Sequence, residues 1–443
     1  MKSDKKRSEV LERILEHGGL GDGVAAKVAR ETGIPEAEVY GAASFFHLLA
    51  EPGTRVRVCT GLSCELGGAR EVLAAAEAAG LPVSECSCLA ACDRPPAVLR
   101  DREVLVEVGT DDIDAASSWE QLTSSHGIDW RGAIGPADAD PDRLAMNLAG
   151  QHDYQGRAVA RARELGADAV LDEVEASGLQ GRGGAGFPAA IKWRGVRAQN
   201  RAPHYVVLNA DEGEPGTFKD RELLLRRPDL VLEGLAIAAD IVGAEEVYLY
   251  LRGEFQSPWR ALQAAIDAFA QSGALGGIRF HLHPGHGAYI CGEETALLEA
   301  LEGKRGMPRL KPPYPHENGL WGQPTLIQNV ETIACVPAIV VRGGQWFKDL
   351  GKTEPGTKLY SISGHVTRPG NYELPLGVTL DELVHAAGGY VGELKAFSPG
   401  GASSGFLPAS ERKRALDFAS LAEVGSMLGS AGVVVLNDTV DMR

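Results

Sequence analysis

The sequence predicts a multidomain α/β protein: a helical front end and a small α/β unit, then a parallel-sheet domain, then a compact α+β domain. Three observations predict it. Helical apolar periodicity fills residues 5–50, five of the seven cysteines crowd between Cys59 and Cys92, and apolar strands alternate with helices from about 156 to 345. At 443 residues the chain exceeds one ordinary core, so two to four domains are expected.

In the front segment Val10, Leu11, Ile14 and Leu15 share one face, Val24, Val28 and Ile34 the next, and Val39, Ala43, Phe45 and Phe46 a third. Residues 1–52 therefore read as a short helical bundle, with Gly18, Gly19, Gly21 and Gly23 separating its first two helices. After Glu51-Pro52-Gly53 the pattern changes. Short strands at 55–58, 81–83, 97–99 and 104–108 surround an Ala-rich helix at 69–79, with a second helix near 111–122, giving an α/β unit over 53–123. Residues 124–154, rich in Gly, Pro and Asp, suggest a linker that partly wraps on a neighbour. Over 155–350, strands at 205–208, 246–251 and 278–282 alternate with helices at 230–242 and 259–270, the pattern of a parallel sheet with crossover helices. From Lys358 on, strands at 358–366 and 371–374 precede one helix at 380–387, which predicts a compact domain over 351–443.

Composition narrows the function. An apolar share of 44% and a charged share of 23% are those of a soluble globular protein. The start, MKSDKKRSEVLERILEHGG, lacks the apolar run of a signal peptide, and the apolar stretch 230–244 is interrupted by Glu233 and Asp240, as in a packed helix rather than a membrane span. A cytoplasmic location is expected, with the membrane reached only through partner subunits. The net charge of −16 argues against a nucleic-acid partner, since a phosphate grip needs clustered cations. Seven cysteines in such a chain argue against a disulfide framework.

The cysteines fall in pairs. Cys59-Thr-Gly-Leu-Ser-Cys64 follows one strand and Cys88-Leu-Ala-Ala-Cys92 another, so two loops can converge on one site. Four thiolates suit zinc or an iron–sulfur cluster. Intervals of four and three residues are wider than the tight two-residue knuckles of structural zinc, which favours a two-iron rhomb over a zinc-stabilised binding protein. C-x4-C followed by C-L-A-A-C-D-x-x-P, behind GIPEAEVYGAASFFHLL, resembles the thioredoxin-like [2Fe–2S] subunit of respiratory NADH dehydrogenase, the 24-kDa type. The resemblance implies a thioredoxin-like ferredoxin domain with Cys59, Cys64, Cys88 and Cys92 as metal ligands, leaving Cys86 spare.

Three further segments belong together. Gly178-Leu-Gln-Gly181-Arg182-Gly183-Gly184-Ala-Gly186-Phe187-Pro188 lies between two helices; its glycines permit close backbone approach to a phosphate, and Arg182 and Lys192 can add cationic contacts. Asn209-Ala-Asp211-Glu212-Gly-Glu214-Pro-Gly216-Thr-Phe-Lys-Asp220-Arg221, a dense polar loop, leaves the carboxyl end of a strand, where α/β sheets place ligands. Gly287-Ala-Tyr289-Ile-Cys291-Gly292-Glu293-Glu294 runs into a helix and on to GKRGMPRLKPPYP and GLWGQPTLIQNVETIA.

Over roughly residues 155–440 these segments resemble the 51-kDa-type FMN- and NADH-binding subunit of the same enzyme, followed by a β-grasp, SLBB-like domain. That resemblance implies FMN held by Gly181, Arg182, Gly183, Gly184, Lys192, Asn209, Asp211, Glu212, Gly292, Glu293 and Asn329. It also implies Phe187 and Tyr314 stacked on the nicotinamide nucleotide, Tyr289 beside the cofactors, and Glu214 and Glu294 at the riboses, where a carboxylate repels a 2′-phosphate and favours NADH over NADPH. Arg194-Gly195 and Gln328-Asn329 depart from the family, which has an aromatic after the Lys-Trp pair and two adjacent asparagines.

Hydride transfer belongs to the flavin, so no protein acid or base is required, with Glu214 and Phe187 in support. The fusion of both modules in one chain resembles the diaphorase subunits of soluble NAD-linked hydrogenases and formate dehydrogenases. It implies a module that passes single electrons to iron–sulfur and catalytic partner subunits. In the family a C-terminal [4Fe–4S] domain is the exit; no cysteine follows Cys335, and the sequence reaches Arg443 about where that domain would begin. A non-catalytic NADH/FMN-binding assembly or regulatory subunit is the alternative.

Overall fold

In the computed structural model, residues 6–116, 118–122, 131–136, 139–150 and 154–442 are described. Residues 124–130, 137–138 and 151–153 of the expected linker, and residue 117 of the helix expected near 111–122, lie outside them.

The cysteine-bearing unit is a four-stranded sheet of β1 (Val56–Cys59), β2 (Ser84–Cys86), β3 (Val98–Arg100) and β4 (Glu103–Leu105), in the order β2-β1-β3-β4. β1 runs parallel to β2 and antiparallel to β3. The strand expected at 81–83 forms three residues later, because the Pro82 carbonyl is taken by the Trp119 indole N–H at 2.7 Å. The Ala-rich helix Ala69–Ala78 covers this sheet through Ala69, Val72, Leu73 and Ala76.

Past the front unit, β5 (Ala133–Gly135) lies in the expected linker, yet it pairs in parallel with a strand of the last domain. The linker thus wraps onto a neighbour as an edge strand.

The central sheet has β6 (His204–Ala210), β7 (Ala244–Leu251), β8 (Arg279–Pro284) and β9 (Thr325–Asn329) in the order β8-β7-β6-β9, every pair parallel. Strand β6 reads HYVVLNA, a continuous apolar run, because both of its faces are covered. Val206, Leu208 and Ala210 pack into the layer around helix Pro228–Val242, while Tyr205 and Val207 point to the opposite layer. That opposite layer is supplied by the front of the chain. Val10, Leu11, Ile14, Val28, Val39, Phe46 and Leu49, from helices Val10–Glu16, Val24–Thr32, Glu36–Ala43 and His47–Ala50 and the turn before the last, share one core with Tyr205, Val207, Tyr250 and Ile327. The front helices are therefore the second cover of the central sheet as well as a helical bundle.

Helix Pro228–Val242 starts with proline in its first turn and ends at Gly243 in the left-handed conformation (φ 74°). It is apolar nearly all round, as a helix buried on every side must be. Past its first turn, where Asp229 pairs with Arg227 at 3.1 Å, the two charges that interrupt it each have a partner. Glu233 accepts from the N–H groups of Gly156 and Ala158 at the start of helix Arg157–Leu165, and Asp240 pairs with Arg163 at 2.7 Å. Among the described residues no helix is long and apolar enough to cross a membrane.

The last domain pairs β10 (Thr357–Gly364), β11 (Gly370–Pro375), β12 (Leu394–Ser398), β13 (Leu407–Pro408) and β14 (Gly432–Asn437) with β5 in the order β13-β12-β14-β10-β11-β5. β10 is antiparallel to β11 and parallel to β14. Helix Leu380–Ala386, opened by a Thr379/Glu382 capping box, lies across it.

Candidate functional site

Strand order in the central sheet reverses between β6 and β9, since β6 is followed outward by β7 and β8 while β9 returns to its other side. The carboxyl ends of the strands flanking such a reversal form a crevice. Asn209 and Asn329 end these two strands in direct register. Asn209 donates from Nδ2 to the Gly292 carbonyl at 2.8 Å and accepts from the Asp211 N–H at 3.2 Å. Asn329 caps helix Val330–Ala334, accepting from Glu331 at 3.0 Å and Thr332 at 3.4 Å, and donates to Asp220 at 2.7 Å.

The glycine-rich loop closes over this crevice. A β-carbon on Gly183 would stand 3.0 Å from Asn329 Cβ, so only glycine fits there without displacing the asparagine. Gly184 has φ 136° and Gly186 φ 63°, outside the range of ordinary side chains, and Gly186 lies under the Phe418 ring of the last domain. Gly181 N–H donates to the Phe187 carbonyl at 2.8 Å, which closes the loop on itself. Arg182 is fully buried: its N–H donates to Thr332 Oγ1 at 2.8 Å and its Nη2 to the Pro355 carbonyl at 3.0 Å, while Nε and Nη1 have no partner among the described residues. The structure thus anchors the loop through this arginine from beneath.

Under the loop lies a buried ion network. Lys219 meets Asp220 at 2.7 Å and Glu331 at 2.9 Å, and Glu331 also accepts from Lys358. Burial, partly offset by Glu331, pulls Lys358 down to about 7. Glu212 accepts from the Asp220 and Arg221 N–H groups at 2.6 and 3.0 Å, and burial followed by the Asp220 charge pushes its carboxyl up to about 8. Burial likewise drives Asp211 well above the carboxylate range.

On the open side, Glu293 caps helix Glu294–Leu301, accepting from Thr295 and Ala296, and pairs with Lys311 at 2.8 Å. The lysine beside it, cooperating with the helix N–H groups, holds Glu293 below the usual range against the opposing effect of burial. Glu294 pairs with Lys192 at 2.7 Å and reaches Lys311 at 3.5 Å. Lys192 Nζ also lies 5.9 Å from the centre of the Phe187 ring. Glu214 is held by the Tyr289 hydroxyl at 2.5 Å and by Ser403 N–H and Oγ at 2.8 and 2.7 Å. Phe187, Tyr289 and Tyr314 are exposed to 46%, 57% and 48%, which leaves three ring faces for a flat ligand. Tyr314 stacks on His316 at 5.9 Å, and His316 fills the space that a side chain at Gly195 would need (3.2 Å).

The structure brings Gly181, Gly183, Gly184, Asn209, Asp211, Gly292 and Asn329 to one crevice, with Glu212 and Arg182 beneath it and Lys192, Glu293, Glu294, Phe187, Glu214 and Tyr289 around its mouth. Tyr314 is joined to it by no contact among the described residues; it stacks on His316, which packs against Gly195. Sequence reasoning missed Lys219, Lys311, Ser403 and Phe418. Lys311 lies inside GKRGMPRLKPPYP and Lys219 inside the acid loop that runs from Asn209 to Arg221, so both carry a local signal; Ser403 and Phe418 come from the last domain and carry none.

The four thiols are all buried. Cys59 and Cys64 belong to the front unit's core, whereas Cys88 and Cys92 pack with the core of the central domain. Cys88 and Cys92 Sγ are 3.2 Å apart, and one point beside Gly61 lies 3.5 Å from Cys59 Sγ and 3.8 Å from Cys88 Cβ, so the two loops face each other. Cys64 and Cys92 are pushed well up, each first by its partner thiol, Cys59 or Cys88, and then by burial. The hydrogen bond from Cys92, working against burial, instead lowers Cys88 to about 6. Four sulfurs are a donor type that would suit a soft metal, though among the described residues no three His, Cys, Asp or Glu side chains are set to hold a metal ion. The intervening Ala90 sits at φ 55°, a left-handed conformation costing about 1–2 kcal/mol, and its carbonyl is gripped by Arg221 Nη1 at 2.6 Å. Arg221 is also forked onto Asp93 at 2.9 Å through both nitrogens, which ties this loop to the acid loop of the crevice.

Three family models match the chain in series: a thioredoxin-like [2Fe-2S] ferredoxin over residues 4–117, the Nuo51 FMN-binding domain over 174–338 and an SLBB domain over 359–407. The second F-type subunit of NADH-quinone oxidoreductase in Rhizobium meliloti (strain 1021) is 52% identical over 287 residues, 62% of this chain and 68% of that protein. The F-type subunit of NADH-quinone oxidoreductase in Rickettsia typhi (strain ATCC VR-144 / Wilmington) is 45% identical over 325 residues, 68% of this chain and 77% of that protein. The crystal structure of an NAD+-reducing [NiFe]-hydrogenase in the air-oxidized state superposes over 98% of this chain and 78% of its own, with a TM-score of 0.83 at 33% identity. The thioredoxin-like, FMN-binding and SLBB domains stand in the order that the family resemblance implied, and the chain belongs to the family of NADH-quinone oxidoreductase F-type subunits.

Proposed function

We propose that this chain is an NADH dehydrogenase module that oxidises NADH at an FMN seated in the β6–β9 crevice and delivers single electrons to a [2Fe–2S] cluster on Cys59, Cys64, Cys88 and Cys92. One observation carries the reading: the acid loop beginning at Asn209 lines the crevice and continues, through Gly216 and Arg221, to the Cys88–Cys92 loop. Family membership supports the oxidoreductase activity and both cofactors.

The chemistry that a bound FMN would supply here is acceptance of a hydride from NADH and release of the two electrons one at a time. The chain's own residues bind and orient. Gly183 and Gly184 let the main chain approach a phosphate beside Asn329, whose Oδ1 takes the first free N–H groups of helix Val330–Ala334 and so fixes the asparagine at the crevice. Asn209, Asp211 and Gly292 supply polar edges for the flavin ring, with Glu212 held in place by two N–H groups. Phe187 and Tyr314 offer faces for the nicotinamide nucleotide, and Tyr289 fixes Glu214 for a ribose. Glu294 takes the other ribose and disfavours a 2′-phosphate, so NADH is preferred. Iron–sulfur and catalytic subunits of a larger complex receive the electrons, from a cytoplasmic position that reaches the membrane only through those partners.

Anaerobic purification with iron, sulfide and FMN tests this. NADH should bleach the flavin absorbance and reduction should give a two-iron EPR signal. Cys64→Ser should abolish that signal and spare flavin bleaching; loss of both together would defeat the two-site reading.

A further inference from the structure

Arg252, just past β7, is 8% exposed and stands between the two cofactor loops. Its Nη2 donates to the Cys88 carbonyl at 2.7 Å and its Nη1 to the Glu212 carbonyl at 2.8 Å. The Glu254 carboxylate lies 3.3 Å from Nη2. On the same side, the N–H groups of Ala90, at 3.3 Å, and of Gly216 point at the Cys88 sulfur. The Cys88–Cys92 pair is the one that packs into the central domain's core, so that domain presents a fixed positive charge to one edge of the cysteine set.

We propose that Arg252 is a positioning residue that sets the reduction potential of the cluster in the front unit, raising it through its charge at the Cys88 loop. The proposal rests on Cys59, Cys64, Cys88 and Cys92 being the ligands. In the one-electron step the cluster gains an electron supplied by NADH through the flavin site; one ferric iron becomes ferrous, no bond forms or breaks and no proton is taken up. The cluster with its four thiolates grows more negative by one charge. A guanidinium hydrogen-bonded to a ligand's carbonyl therefore stabilises the reduced form more than the oxidised one, and burial keeps water from screening the effect. Glu254 opposes it with the contrary sign. The arginine's own charge is constant across ordinary pH, so measuring at one pH holds the facing Asp211, Glu254 and His47 fixed.

The test is an EPR-monitored redox titration of the full chain, reconstituted anaerobically with iron, sulfide and FMN, at one pH. Arg252→Gln should lower the cluster midpoint relative to the unmodified chain, Arg252→Lys should fall between them, and Glu254→Gln should raise it. Opposite signs from two neighbouring buried residues are not what general loosening of the fold produces. An unchanged or raised midpoint in Arg252→Gln, or an unchanged or lowered one in Glu254→Gln, would overturn the proposal. If Arg252→Gln assembles no cluster, the sign of the Glu254→Gln shift decides. A chain loaded with iron and sulfide that gives no two-iron signal would instead refute the ligand assignment, and the proposal with it.

Discussion

Gly183→Ala probes the crevice with a single methyl group. The added carbon would stand 3.0 Å from Asn329 Cβ and 3.3 Å from its Cγ, whereas non-bonded carbons rest about 3.5–4.0 Å apart. Asn329 must withdraw by about half an ångström. Its Oδ1 then weakens as the cap of helix Val330–Ala334, worth about 1 kcal/mol when fully lost, and its Nδ2 loosens from the Asp220 carboxylate, a hydrogen bond to a charged group worth about 1.5–3 kcal/mol. Partial loss of both comes to about 1–3 kcal/mol; FMN that needs Asn329 in its original place must restore it against the added methyl group at a cost of that order, which corresponds to a weakening of FMN binding of about 5- to 150-fold. Quenching of FMN fluorescence on titration with the apoprotein measures it, with Gly53→Ala, which meets nothing within 4 Å, as the neutral control. A Gly183→Ala protein that folds normally and binds FMN with unchanged affinity would refute the placement of the flavin against Asn329.

Arg221→Met strips the fork from Asp93 and leaves that carboxylate buried without its cation, while Glu222 keeps Arg226 at 2.6 Å, so stability should fall by about 3–5 kcal/mol and the thermal midpoint with it; an unchanged midpoint would show the fork to be energetically idle. Glu294→Gln breaks the pair with Lys192 and removes the charge facing a 2′-phosphate, so the kcat/KM preference for NADH over NADPH should shrink on the order of tenfold, equivalent to about 1.4 kcal/mol; unchanged selectivity would dismiss the assignment. Glu212, raised from 4.5 to about 8, binds its proton more tightly folded than unfolded. Its contribution is therefore full below about 4.5 and is lost as pH rises to about 8, at up to about 1.4 kcal/mol per pH unit, so Glu212→Gln should flatten the apoprotein's melting temperature over that window. An equally steep profile in the variant would place the titration elsewhere.

Local pattern carried much of the site. Asn209 was legible because an apolar strand run breaks abruptly into polar residues, and the cysteine pairs because their spacing survives any fold. What escaped was set by contacts distant in sequence. Amphipathic periodicity shows that residues 10–49 have an apolar face, but not that Tyr205 and Val207 meet it. Residues 133–135 have no strand signature and become β5 only because the open edge of β11 supplies hydrogen-bond partners. Ser403 and Phe418 reach the crevice from a separate domain. Arg182 was legible as a member of the glycine loop, but its direction was not: burial against Pro355 depends on the last domain's approach.

The path of the chain gives the two-iron unit an unusual leash. Its entrance is anchored where residues 10–49 clasp the central sheet, and its exit where β5 is stitched into the last domain. A unit held at both ends cannot drift off as a separate polypeptide could, however dilute the protein. Its effective concentration at the flavin domain is fixed by geometry and not by association equilibrium. Shedding it would require peeling the cover from one sheet or a strand from another, so the separation between the two redox centres is built into the covalent chain.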